Sequence, residues 1–142
     1  MGATLARALK NLIALDLDSE TNLKCALFTS SLTPDPDAAN PYFNATPYTA
    51  NEVSGTGYSA GGAVLTGTSF GAASGIATFD AADTSWSSST ITNAAGAIVY
   101  DNSLTNKDVL AAISFGGNYS TSNGTFLITW NAAGLWYVDY IP

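Results

Sequence analysis

Between positions 55 and 75 the chain places glycine at 55, 57, 61, 62, 67, 71 and 75, leaving room only for short apolar runs such as Ala63-Val64-Leu65. Each glycine inside a helix costs about 1 kcal/mol relative to alanine, so no helix survives this density. Short strands joined by tight turns or bulges do survive it. The middle of the chain is therefore β, and the flanking segments must be compatible with that.

They are. Residues 22–30 are apolar on both faces and bounded by polar clusters, as a central strand requires. Strands are expected at about 96–101 and 108–115, with a turn at 102–107 between them. Asp80, Asp83 and Trp86 precede a strand at Thr90-Ile91-Thr92. Residues 125–130 alternate most cleanly, with Phe126, Ile128 and Trp130 facing one way and Leu127 the other. Asn123-Gly124 is a turn signal that joins this strand to the one before it. The last strand, 135–141, sets Trp136, Val138 and Tyr140 on one face and Leu135, Tyr137 and Ile141 on the other. A strand apolar on both sides is covered twice, by the core and by a partner or another segment. Seven or eight strands at this spacing predict an all-β, antiparallel β-sandwich, Ig-like or jelly-roll-like, over residues 21–142. No internal repeat of fixed period is present.

Two segments stand apart. Leu5, Leu9, Leu12 and Ile13 fall at helical spacing, predicting a short amphipathic N-terminal helix over about 4–14, within an N-terminal arm of residues 1–20. So short a helix is marginal alone, and its leucine face must dock on its own domain, a sister subunit or another protein. A proline-punctuated loop over 31–50 carries Tyr42, Phe43 and Tyr48, aromatic anchors for an arm laid across a neighbour.

Composition narrows what such a body can do. A single domain of 142 residues buries roughly 70% of its unfolded surface, enough for a core without staples. Four basic and eleven acidic residues give a net charge of −7, which repels nucleic-acid phosphate and anionic lipid. Arg7, Lys10 and Lys24 offset Asp16, Asp18 and Glu20, so the excess lies on residues 25–142, where Lys107 is the one base. A lone Cys25 amid Leu23-Lys24-Cys25-Ala26-Leu27-Phe28 reads as a buried, inert thiol. Asp16 and Asp18 interrupt the apolar run a leader would need, and no apolar stretch reaches the roughly 18 residues that span a bilayer, so a soluble protein made in the cytosol is expected. The triplets at Asn44, Asn118 and Asn123 then read as turn asparagines.

The chain contains no histidine, removing the usual general base and the commonest metal ligand. Asp80 and Asp83 beside Trp86 could form a glycosidase carboxylate pair, but turn-capping aspartates before a strand are the commoner arrangement. Asp16, Asp18 and Glu20 imitate the start of a calcium loop, yet Thr21 replaces its glycine and Leu27 its closing glutamate. The glycines around 55–62 lack the Lys-Ser/Thr and helix of a phosphate cradle. No catalytic residue, metal or cofactor is expected.

The segments 23–30, 51–62, 77–86, 97–101, 111–117 and 122–134, from Leu23-Lys24-Cys25-Ala26-Leu27 to Gly124-Thr125-Phe126-Leu127-Ile128-Thr129-Trp130, resemble in order and spacing a family of small virion proteins of tailed bacteriophages. The likeness covers roughly residues 20–135; it departs at Asn93–Gly96, where a basic residue is usual, and in the heavier aromatic tail Trp136–Tyr140. The resemblance implies a capsid decoration, or cement, protein on the outer shell, a homo-oligomer expected as a trimer, whose partner is the major capsid protein. Its contacts are then expected at Leu5, Leu9, Leu12 and Ile13, at Tyr42 and Phe43, and at Trp136 and Tyr140. A tail or connector component, and an adhesive module binding carbohydrate through Trp86, Tyr58 or Trp130, are the alternatives.

Overall fold

The computed structural model describes residues 22–33 and 43–139. The expected N-terminal helix, with Leu5, Leu9, Leu12 and Ile13, lies outside the described residues, as do Tyr42 and Tyr140. The described chain is all-β and antiparallel, with ten strands and a single-turn helix. In chain order these are β1 (Leu23–Thr29), α1 (Tyr48–Asn51), β2 (Gly55–Thr56), β3 (Ala63–Val64), β4 (Ser69–Ala73), β5 (Ile76–Asp80), β6 (Thr84–Ile91), β7 (Ala94–Asp101), β8 (Val109–Tyr119), β9 (Gly124–Ile128) and β10 (Trp136–Asp139). The chain expected to form one sandwich over 21–142 divides into two compact units.

The larger unit comprises residues 22–64 and 85–127. Its main sheet has the order β3-β1-β7-β8, and a second sheet the order β2-β6-β9. Strands β1 and β7 are central, pairing from Leu23 with Asp101 to Phe28 with Gly96. Central strands covered on both faces need apolar residues in succession rather than alternation. Cys25, Ala26, Leu27 and Phe28 are buried in a row, as are Ala97 through Asp101. One face of this pair, with Ala26, Phe28, Ile98 and Tyr100, is capped by Phe43 and Tyr48. Phe43 stacks flat on Tyr100 at 3.9 Å between ring centroids, and its edge meets Phe28 at 6.1 Å. The one polar side chain in this inner row, Asp101, accepts hydrogen bonds from the amide and hydroxyl of Ser103, closing the turn after β7.

The smaller unit comprises residues 65–84 and 128–139 among those described, and holds the sheet β10-β5-β4. Phe70 pairs with Phe79 and Phe79 with Trp136, so one row of the sheet is aromatic across its width. The next row, Gly71, Thr78 and Tyr137, points to the opposite face, where Tyr137 is 58% exposed. Among the described residues, only one face of this sheet carries a core.

The strand calls hold at β1, β7 and β9, and shift elsewhere. β8 runs on to Tyr119 rather than stopping near 115. β6 begins at Thr84, so Trp86 lies inside a strand instead of preceding one. Asn123 does sit in a left-handed turn conformation, at φ 49°. The strand after it, however, pairs with β6 rather than closing a hairpin with β8.

Candidate functional surface

The polar groups of the larger unit are arranged to hold structure. Glu52 sits on an isolated bridge to Phe28 and turns its carboxylate under the glycine segment 55–62. Its Oε1 accepts hydrogen bonds from the Tyr58 hydroxyl at 2.7 Å and the Gly61 amide at 2.6 Å. The Tyr58 hydroxyl in turn accepts from the Leu27 amide at 3.0 Å, and the Tyr100 hydroxyl donates to the Gly61 carbonyl at 2.8 Å. The segment is thereby pinned onto β1 and β7. Glycine is required at Gly62, whose φ is +74° and where a Cβ would run into the Cys25 carbonyl oxygen.

Burial raises the phenol pKa of Tyr58, with the hydrogen bond to the Glu52 carboxylate adding to it, and burial likewise raises that of Tyr100. Both rings stay neutral across the physiological range. Desolvation pushes the Cys25 thiol up to about 12, leaving it protonated and unreactive.

The two carboxylates weighed as a glycosidase pair are engaged with backbone. Asp80 Oδ1 accepts from the Ala81 amide at 2.9 Å, and Asp83 Oδ1 from the Trp130 amide at 3.1 Å. They cap turns. Among the described residues, no group of three or more Cys, Asp or Glu is placed to hold a metal ion. No described helix is long and apolar enough to cross a membrane.

The aromatic rings weighed as a sugar platform are used inside their own units. Trp86 is 5% exposed, between Tyr58 at 5.8 Å and Phe126 at 6.1 Å. Trp130 donates its indole N–H to Thr84 Oγ1 at 3.2 Å. Of the expected contact residues that are described, Phe43 is also drawn inward. Its amide donates to the Lys107 carbonyl, and Asn44 bonds the Thr105 carbonyl, so this end of the loop is clipped to the β7–β8 turn. A ring stacked on Tyr100 is not an arm reaching for a neighbour, because leaving would uncover the core. Trp136 meets Phe70 edge-on at 5.3 Å and lies tilted against Phe79 at 5.9 Å, and is only partly buried.

What faces outward is different in kind. Among the described residues, Val64, Leu104, Tyr119, Leu127 and Tyr137 are the large apolar side chains left exposed. Two long runs carry no charge, one between Glu52 and Asp80 and one between Asp108 and Asp139. An open groove of about 450 Å³ in the larger unit is lined by Phe28, Leu32, Gly96, Ile98, Ala112 and Ser114. A shallower one of about 680 Å³ lies on the open face of the smaller unit, beside Ile76, Thr78 and Tyr137. Neither brings together a nucleophile, a base and an anion-stabilising group. These exposed residues escape sequence reading because strand alternation fixes which residues share a face, not which face is covered.

Comparison with protein-family models, with curated proteins and with solved structures finds no match.

Proposed function

We propose that this chain is a structural protein of a tailed-bacteriophage particle that binds and stabilises the major capsid shell from outside, as a homo-oligomer assembled after synthesis in the host cytoplasm. The observation that carries the reading is a well-packed β body with two long uncharged runs, from Val53 to Phe79 and from Val109 to Val138. Burying charge against a partner is costly, whereas a surface of hydroxyls, amides and scattered apolar side chains can be covered with little desolvation penalty. The buried, satisfied polar network fits the same purpose, since no buried side-chain nitrogen or oxygen among the described residues lacks a partner. The resemblance across residues 20–135 supplies the class of partner.

The action is mass action. A protein that binds the assembled shell and not its loosened form stabilises the shell by the difference in binding free energy. Symmetric repetition multiplies modest contacts, with a trimer the form implied by the resemblance. The Leu5, Leu9, Leu12 and Ile13 face is the proposed docking element, Tyr42 a second contact, and Trp136 and Tyr140 part of subunit packing.

Co-sedimentation of the purified protein with expanded shells and with their unexpanded precursors tests the proposal. Binding to expanded shells, weakened by Leu9→Asp while the β signature in circular dichroism is kept, supports it. Absence of binding to either shell overturns it, and binding confined to tail fractions replaces it with the tail or connector reading.

A further inference from the structure

The sheet of the smaller unit presents a face of a particular kind. Rows two residues apart share a side, so Gly71, Thr78 and Tyr137 lie next to Ala73, Ile76 and Asp139, with Ser69 and Asp80 at the other end. Along β4 the side chains on this face are small, and a Cβ added at Gly71 would meet nothing within 4 Å. The result is a shallow trough with the exposed Tyr137 ring at its rim. Its charge is one-sided. The described residues of this unit include Asp80, Asp83 and Asp139 and no lysine or arginine.

The segment that complements this face is at the N-terminus. Over residues 4–14 the sequence carries Leu5, Leu9, Leu12 and Ile13 at helical spacing, together with Arg7 and Lys10 and no acid. A helix over that range is about 16 Å long, and a strand the length of β5 about 17 Å. The chain path brings the two within reach. Lys24 pairs with Val64 across β1 and β3, and the next residue, Leu65, opens the smaller unit. Residues 15–21, which join the segment to Asn22, can span about 24 Å.

We infer that the leucine face of residues 4–14 rests on the β4 and β5 side of this trough, in its own copy. Tether and charge select the occupant. A linked segment meets the face at an effective concentration on the order of millimolar, whereas a second copy of net charge −7 is repelled. The groove of the larger unit has no charged residue in its described lining, and so nothing for Arg7 and Lys10 to pair with. Resting on the trough also keeps four large apolar side chains from water in the free protein. Tyr137 stays at the rim, where a side chain contributes little.

This inference rests on the proposed function for one point, that a shell takes the same face. A helix with one apolar side cannot serve both, so binding to the shell must draw it off the trough. A nitroxide attached at Asn11→Cys, on the polar side of the helix, reads the resting contact in the full chain, since burial keeps Cys25 from being labelled. The expected result is strong broadening of the amide signals of Gly71, Ala73 and Thr78, lost when Leu9→Asp is added while circular dichroism is unchanged. A mixture of spin-labelled chain with isotope-labelled chain that carries no nitroxide should show no broadening there. Absence of broadening in the first sample, its confinement to the larger unit, or its appearance in the mixture would each overturn the inference. Sedimentation with shells is scored separately. A chain that shows the contact and binds no shell removes the proposed function and leaves the resting contact standing. In shell-bound protein the amides of β5 should exchange about tenfold faster than in free protein, and unchanged exchange would overturn the competition for the leucine face.

Discussion

The main sheet of the larger unit and the sheet of the smaller one use the same antiparallel pairing, but they distribute burial differently. In the larger unit β1 and β7 are buried on both faces, and an aromatic cap of Phe43 and Tyr48 lies over Phe28 and Tyr100. In the smaller unit the row Phe70, Phe79 and Trp136 is packed, while the neighbouring row ends in an exposed Tyr137. The two sheets thus differ in how many of their described faces are covered, not in how their strands pair. Among the described residues, the larger unit forms a frame covered on both faces, and the smaller one a sheet covered on one.

Substitutions in the two sheets should separate these roles. The largest effect is expected from Phe28→Ala, which removes a ring 1% exposed from between Phe43 and Tyr48 and should cost about 3–5 kcal/mol in denaturant unfolding. A loss under 1 kcal/mol would mean that the cap is not part of the core.

Next comes Tyr58→Phe, which deprives Glu52 Oε1 of one donor and the Leu27 amide of its acceptor and should cost about 1.5–3 kcal/mol. The same network sets a pH dependence. The phenols of Tyr58 and Tyr100 have folded pKa values above their ordinary value of 10, so the stability they contribute is complete below pH 10 and is lost as pH rises beyond it. Thermal midpoints should fall above pH 10, and less steeply in Tyr58→Phe; an equally steep fall in both proteins would remove Tyr58 from the alkaline transition.

Trp136→Ala should be milder, at about 1–2 kcal/mol, since the ring is only partly buried on Phe70 and Phe79. Hydrogen exchange should quicken in β5 and β10 while β1 and β7 stay protected. The smallest effect belongs to Tyr137→Ala on the open face, within about 0.5 kcal/mol of the parent. A larger loss there would show that the face is covered in solution.

Much of the frame was legible in the residues. β1 announced itself because two-sided burial demands consecutive apolar side chains, and β9 because Phe126 and Ile128 are buried while Thr125, Leu127 and Thr129 are exposed. β6 was foreseen only at its end. Its buried positions are Thr84, Trp86, Ser89 and Ile91, and the alternation slips by one where Ser87 and Ser88 are both exposed, with Ser88 at φ 50°. A bulge of this kind flips the inward face, and serines give periodicity nothing to register it by. The pairing of β9 with β6 was equally out of reach, because it joins segments far apart in sequence, whereas Asn123-Gly124 signals only the local turn. Phe43 was recognised as an anchor but assigned outward. Its stacking on Tyr100 depends on the loop end being clipped to the β7–β8 turn, a contact across some sixty residues that no spacing rule contains.

The account's central claim is that this chain works by remaining attached to a larger assembly. The most direct measurement of the proposed virion role is the number of copies of this chain per purified phage particle, by quantitative mass spectrometry against the major capsid protein. The account predicts a fixed, high stoichiometry relative to the shell subunit. Absence of the chain from mature particles would contradict it.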